Sequence, residues 1–125
     1  MARPTFLVVE SEPGHALSTR KLVLESAKYN VLTAHSWPEA DELFDLFPRV
    51  NAVIISKEVG NGSDCTDFVK RVKDKRDAPT TVFLTPHQGH SCDGVDHVLS
   101  THDPDGLVNL MRSLFGDPRP PDSGP

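Results

Sequence analysis

Long hydrophobic runs are missing from this chain. Met-Ala-Arg-Pro leads straight into Phe6-Leu-Val-Val9, which is far too short for a membrane span or the apolar core of a signal peptide, so a cytoplasmic protein is expected. Blocks of positive charge are missing too. Thirteen Lys and Arg stand against 18 Asp and Glu, for a net charge of −5, and phosphate-backbone recognition needs grouped cations. Neither nucleic acid nor membrane is therefore expected as a partner of this domain. Cysteine is scarce: Cys65 and Cys92 are the two present, with no framework spacing. A core of this size folds without a staple, so both are expected as reduced thiols. Finally, no run of glycines and hydroxyls follows the first apolar segment, which counts against a phosphate cradle for a flavin or nucleotide.

What the chain does have is a repeating alternation of short apolar runs and amphipathic segments. Its 125 residues fit one domain, and 37% hydrophobic with 25% charged residues is a globular composition. Phe6 to Val9 reads as a strand buried on both faces, ended by Glu12-Pro13-Gly14. From Pro13 to Ala27, Leu17 and Leu24 lie on one stripe with Ala16, Val23 and Ala27, which predicts a helix. Val31-Leu-Thr-Ala34 is the second strand. Ser36-Trp-Pro-Glu39 has the spacing of a capping box. Ala40, Leu43, Phe44 and Phe47 then fall at i, i+3, i+4 and i+7, and Pro48 closes that helix. Trp37 at its start reads as a partly buried anchor.

Asn51 to Ile55 is the third strand. After the Gly60-Asn-Gly62 turn, Ser63 or Asp64 can cap a helix whose apolar face is Cys65, Phe68, Val69 and Val72. Lys70, Arg71, Lys73, Lys75 and Arg76, interleaved with Asp67, Asp74 and Asp77, read as the solvated face of that helix. Thr80 to Thr85 gives the fourth strand and Val95 to Leu99 the fifth. Asp103-Pro104 starts the last helix, whose stripe of Leu107, Leu110, Met111 and Leu114 runs to Gly116. The domain is thus expected over 1–116, with 117–125 a Pro-rich tail or the start of a linker.

Short buried strands alternating with amphipathic helices require right-handed crossovers. The expected fold is α/β: a doubly wound five-stranded parallel sheet in a flavodoxin-like three-layer sandwich. In that architecture ligands and reacting groups gather beyond the carboxyl ends of the strands, where strand order reverses. The apolar runs end in Glu10, Ala34, Ser56, Thr85 and Ser100, so the rim carries one carboxylate at these positions and no lysine.

At these residues the chain resembles the receiver domain of bacterial two-component response regulators, CheY-like but in a degenerate, pseudo-receiver form, from Thr5 to Phe115. Phe6-Leu-Val-Val-Glu-Ser-Glu-Pro13 is similar to the family's opening strand and its acidic pair, which puts Glu10 and Ser11 on the two acidic, metal-holding positions. Asn51-Ala-Val-Ile-Ile-Ser56 is similar to the strand that ends in the phosphoacceptor aspartate, so Ser56 stands on that position. Val82-Phe-Leu-Thr85 keeps the switch hydroxyl at Thr85. Asp96-His-Val-Leu-Ser-Thr101 resembles the segment that ordinarily ends in Lys-Pro, with Ser100 in place of the lysine.

In such a family an aspartate attacks a phosphoryl group held by Mg²⁺ while a lysine neutralises the transferred oxygens. Glu10, even with Glu12 assisting, is a thin ligand set for Mg²⁺, and Ser56 has no base in its local sequence. Lys57 points to the other strand face. The resemblance therefore implies a non-enzymatic signalling module with no cofactor and no catalytic residue. Its partner would be a protein or a covalently linked effector domain, and a homodimer is one route of assembly. The rival reading is an atypical receiver phosphorylated at Ser56 or Asp64.

Between Thr85 and Ser100 the family fits a fourth helix, yet Pro86-His-Gln-Gly-His-Ser-Cys-Asp-Gly94 has no apolar stripe and carries breakers. The fourth helix is expected to be shortened or absent. His87, His90 and Cys92, with His97, His102 or Asp93 as a fourth ligand, compose a weak zinc pattern. Solvated histidines on a polar loop are the plainer expectation, with a metal- or small-ligand-binding flavodoxin-like module as the alternative.

Overall fold

The computed structural model describes residues 4–10, 19–56, 62–75, 77–85, 92–101 and 103–116. Among them run β1 (Thr5–Val9), α1 (Thr19–Ser26), β2 (Asn30–Ala34), α2 (Trp37–Leu46), β3 (Ala52–Ser56), α3 (Gly62–Lys73), β4 (Thr80–Thr85), β5 (His97–Ser100) and α4 (Pro104–Phe115). All strands pair in parallel, in the order β2-β1-β3-β4-β5. The chain steps outward from β1 to β2, crosses back to β3 and continues to β5. Strand order therefore reverses between β1 and β3.

Alternation along the strands splits the core into two layers. Leu7, Val9, Val53, Ile55 and Phe83 face α2 and α3, where Phe44, Phe68, Val69 and Val72 meet them. Phe6, Val8, Ile54, Val82 and Leu84 face α1 and α4, against Leu24, Leu107 and Met111. Both faces of the central strands are covered, which is why β1 and β3 read as continuous apolar runs.

Local signals set the helix starts. The Ser36 hydroxyl accepts the Glu39 N–H at 3.2 Å, and the Asp103 carboxylate accepts the Gly106 N–H at 2.9 Å with Pro104 opening α4. At the far end of α4, the Tyr29 hydroxyl donates to the Gly116 carbonyl at 2.6 Å while its ring packs on Phe6. Trp37 is partly buried, with its ring 5.6 Å from that of Phe68, as expected of an anchor.

Four expectations are corrected. The sequence pattern places the fifth strand at Val95–Leu99, but the ladder runs over His97–Ser100. Gly94 turns the chain at φ +89 and the Asp96 N–H binds the Thr81 carbonyl, so pairing starts two residues later. Arg71 and Lys73 are not simply solvated. Arg71 pairs with Asp41 and Asp45 of α2, at 3.1 and 2.7 Å, and Lys73 pairs with Asp96.

Cys65 and Cys92 are not reduced thiols: they form a disulfide, with Cα atoms 5.9 Å apart. Parallel packing brings the first turn of α3 beside the residues that precede β5, a proximity that a sequence separation of 27 does not signal. Bonded in this way, the Cys92 sulfur is no longer a thiolate that zinc could use. The third helix is helical from Gly62, ahead of the expected cap at Ser63 or Asp64.

No described residue between β4 and β5 is helical, in agreement with a shortened or absent fourth helix. Ser11 to Pro13, the start of the expected first helix, Lys57, His87, His90, His102 and the tail all lie outside the described residues. No helix among those described is long and apolar enough to cross a membrane.

Candidate functional site

The carboxyl ends of β1, β3, β4 and β5 bring Glu10, Ser56, Thr85 and Ser100 to one rim. Register fixes their order. Val9 pairs with Ile55, which leaves Glu10 level with Ser56 at the reversal point of the sheet. Ser56 pairs with Leu84, and Thr85, one residue further, pairs with Ser100.

The same alternation divides the rim. Ser56 follows Ile54, and Glu10 follows Val8, onto the α1/α4 side. Thr85 follows Phe83 onto the α2/α3 side, and its partner Ser100 goes with it. Two pairs of polar side chains thus leave the sheet on opposite faces. Glu10 and Ser56 are each 1% exposed and Thr85 is 6% exposed, whereas Ser100 is open to solvent.

The backbone of Glu10 is held in place by β2. Its N–H donates to the Ala34 carbonyl at 2.9 Å, and its own carbonyl lies 3.2 Å from His35 Nδ1. Nothing in the local sequence marks His35, and only the register of β1 on β2 draws attention to it. Ser11 lies outside the described residues. Asp64 belongs to α3.

Chemically, the described residues of this rim offer hydroxyls and the enclosed carboxylate of Glu10. Among the described residues, no group of three His, Cys, Asp or Glu side chains comes together to hold a metal ion. Magnesium is commonly bound through one or two carboxylates together with waters and phosphate oxygens, and Glu10 is the carboxylate that the described residues place at this rim. His97 lies in β5 and Asp93 is exposed in the turn before it.

Among the described residues, the Asp96 carboxyl at the opposite end of the sheet is tuned by its surroundings. Partial burial pushes the Asp96 carboxyl up. Hydrogen bonds from Lys73 and the Thr81 N–H, with the Lys73 charge and the Thr81 hydroxyl, outweigh that and hold it below the usual carboxylate value. Lys73 reaches Asp96 from the end of α3, so this network ties α3 to the starts of β4 and β5. It is structural, not part of the rim.

No family model and no curated protein matches the chain. Solved structures do. A CheY-like response regulator receiver domain from Methylobacillus flagellatus is 21% identical, with a TM-score of 0.71 over 90% of this chain and 99% of that one. The non-phosphorylated HemR receiver domain from Leptospira biflexa is 27% identical, with a TM-score of 0.65 over 88% and 93%. A third is an atypical orphan response regulator, described as revealing a phosphorylation-independent regulatory mechanism, at 14% identity and a TM-score of 0.69 over 89% and 94%. The enclosed hydroxyls at the strand ends, the reversal between β1 and β3 and these similarities converge on one architecture: the chain has the receiver fold of response regulators.

Proposed function

We propose that the chain is a receiver-type signalling module of a two-component pathway that has lost aspartyl phosphorylation and acts by binding a protein in one constitutive state. The observation that carries this reading is Ser56: it ends β3 beside Glu10, 1% exposed, where receiver chemistry calls for an aspartate. A serine hydroxyl is an intrinsically weak nucleophile at neutral pH and lacks the charge of the carboxylate that receiver chemistry uses. Ser100, at the end of β5, offers no cation to neutralise a transferred phosphoryl group. On this reading Thr85 keeps the switch hydroxyl without a phosphoryl group to bind, Mg²⁺ is not required, and the module is not an enzyme.

The similarity to an atypical orphan regulator with a phosphorylation-independent mechanism supports the same direction. The partner is a separate protein, a second copy or an effector domain on the same chain, and the cytoplasm is where a phosphorelay component of this kind works. A net charge of −5 argues against nucleic acid as the partner.

The test is intact mass after incubation with Mg²⁺ and a small acyl-phosphate donor. The expected result is an unchanged mass. A gain of one phosphoryl group would contradict it. Loss of that gain in Ser56→Ala would assign the serine as an atypical acceptor, and loss in Asp64→Ala would assign the aspartate.

A further inference from the structure

We propose that the Cys65–Cys92 disulfide is a redox modification site that locks the 92–95 turn, and with it the edge strand β5, against α3. The inference goes beyond the function proposed above and stands whichever way the phosphoryl question falls. Cys65 is in the first turn of α3, and Cys92 opens the turn that leads into β5. Where a helix would cover the outer part of the sheet, the described residues hold this bridge instead.

Cys65 and Cys92 are 4% and 2% exposed and belong to the apolar layer with Phe68, Val69 and Phe83. Among the described contacts, residues 92–95 are otherwise held by the packing of Val95 on the same apolar layer and by one turn bond. The Val95 N–H meets the Cys92 carbonyl at a long 3.3 Å, and Gly94 sits at φ +89 against the Val69 side chain. Beyond them Val98, the ladder partner of Phe83 on the α2/α3 face, is 48% exposed.

A sheet with apolar layers on both faces does not need a cross-link to fold. A bond across a separation of 27 residues, at the one connection without a described helix, is placed to set a local equilibrium in addition to its share of the global one. With the bond closed, the turn before β5 is pinned to α3. With it open, the described contacts left at that end of β5 are the turn bond, the packing of Val95 and the Asp96 network, and the face around Val98 can rearrange.

Switching is thiol–disulfide exchange with a glutathione or dithiol couple. A reductant thiolate attacks one bridge sulfur, forming a mixed disulfide and expelling the other cysteine as a thiolate, which takes up a proton. A second reductant thiol resolves the mixed disulfide and frees the remaining cysteine. Two electrons and two protons pass to the pair, and the reductant leaves as its own disulfide; oxidation is the reverse. Since both cysteines are enclosed, exchange proceeds through opening of the 92–95 turn.

The test uses the full oxidised chain in native buffer, equilibrated over a series of reduced to oxidised glutathione ratios. Samples are trapped with N-ethylmaleimide and weighed intact, and hydrogen exchange is read over residues 92–100, with β1 and β3 as references. Two alkyl groups should appear without denaturant and be prevented by return to oxidised glutathione before trapping. Exchange over 92–100 should quicken by at least about tenfold more than that of β1 and β3, which report the global change. Cys92→Ser, verified by its circular dichroism, should exchange as the reduced protein does and ignore glutathione; where that variant does not fold, the wild-type arm decides. A bridge that opens only in denaturant, reduction with exchange unchanged, or protection lost to the same extent in β1 and β3 as in 92–100 would each overturn the proposal.

Discussion

Glu10 and Ser56 stand side by side where the strand order turns back, one residue beyond the Val9–Ile55 pair, and each is 1% exposed. A carboxylate in the place of Ser56 would therefore share an enclosed site with another carboxylate. An acid introduced there is disfavoured in its charged form by burial and by the neighbouring carboxyl, which opposes folding.

Ser56→Asp should accordingly lower stability by about 2 kcal/mol at neutral pH. The introduced acid has a raised pKa in the folded state, so the loss is full above that value and shrinks as pH falls and the group protonates. Urea midpoints at pH 7 and pH 5 check this. A Ser56→Asp protein as stable as wild type at pH 7 would show that the rim tolerates a second acid.

Asp96 gives the opposite pH signature. Its pKa is lowered in the folded state below the ordinary 3.8, so its contribution is fully present above the unfolded value and disappears as pH falls through the folded one. Both partners are partly solvated, at 39% for Asp96 and 32% for Lys73, so Asp96→Asn should cost only about 1 kcal/mol at neutral pH. Denaturation curves of the two proteins should converge as pH is lowered through the carboxylate range. A gap that persists in acid would place the loss in packing instead.

The disulfide makes a separate contribution to global stability. Closing a separation of 27 residues is worth about 3.5 kcal/mol of chain entropy, against a usual total of about 5–15 kcal/mol. Reduced and alkylated protein should thus unfold at a clearly lower urea concentration yet still show a cooperative transition. An unchanged midpoint would mean that the bridge constrains nothing in the unfolded chain.

How much of this was legible in the sequence follows from what is local. Helices α2 and α4 carry both an apolar stripe and a cap within a few residues, and Ser36 and Asp103 bind the N–H groups that their spacing implies. Strands β1, β3 and β4 are buried on both faces and show as apolar runs. Strand β5 is a short edge element with a half-open pattern, and its start is set by Gly94 and Thr81, which no period reveals. Of the rim, Ser56 was visible because it ends an apolar run. The division that sends Thr85 and Ser100 to the other face needed the ladder register. Likewise the Cys65–Cys92 bond and the Arg71 and Lys73 ion pairs join residues far apart in sequence, where spacing carries no signal.

The central claim, a rim that does not switch with phosphate, is tested most directly by amide spectra of the labelled protein before and after adding Mg²⁺ with a small acyl-phosphate donor. The account predicts superposable spectra, with the amides of Glu10, Ser56, Thr85 and Ser100 unmoved. A new set of signals at those residues, appearing with the donor and fading as it is consumed, would contradict it.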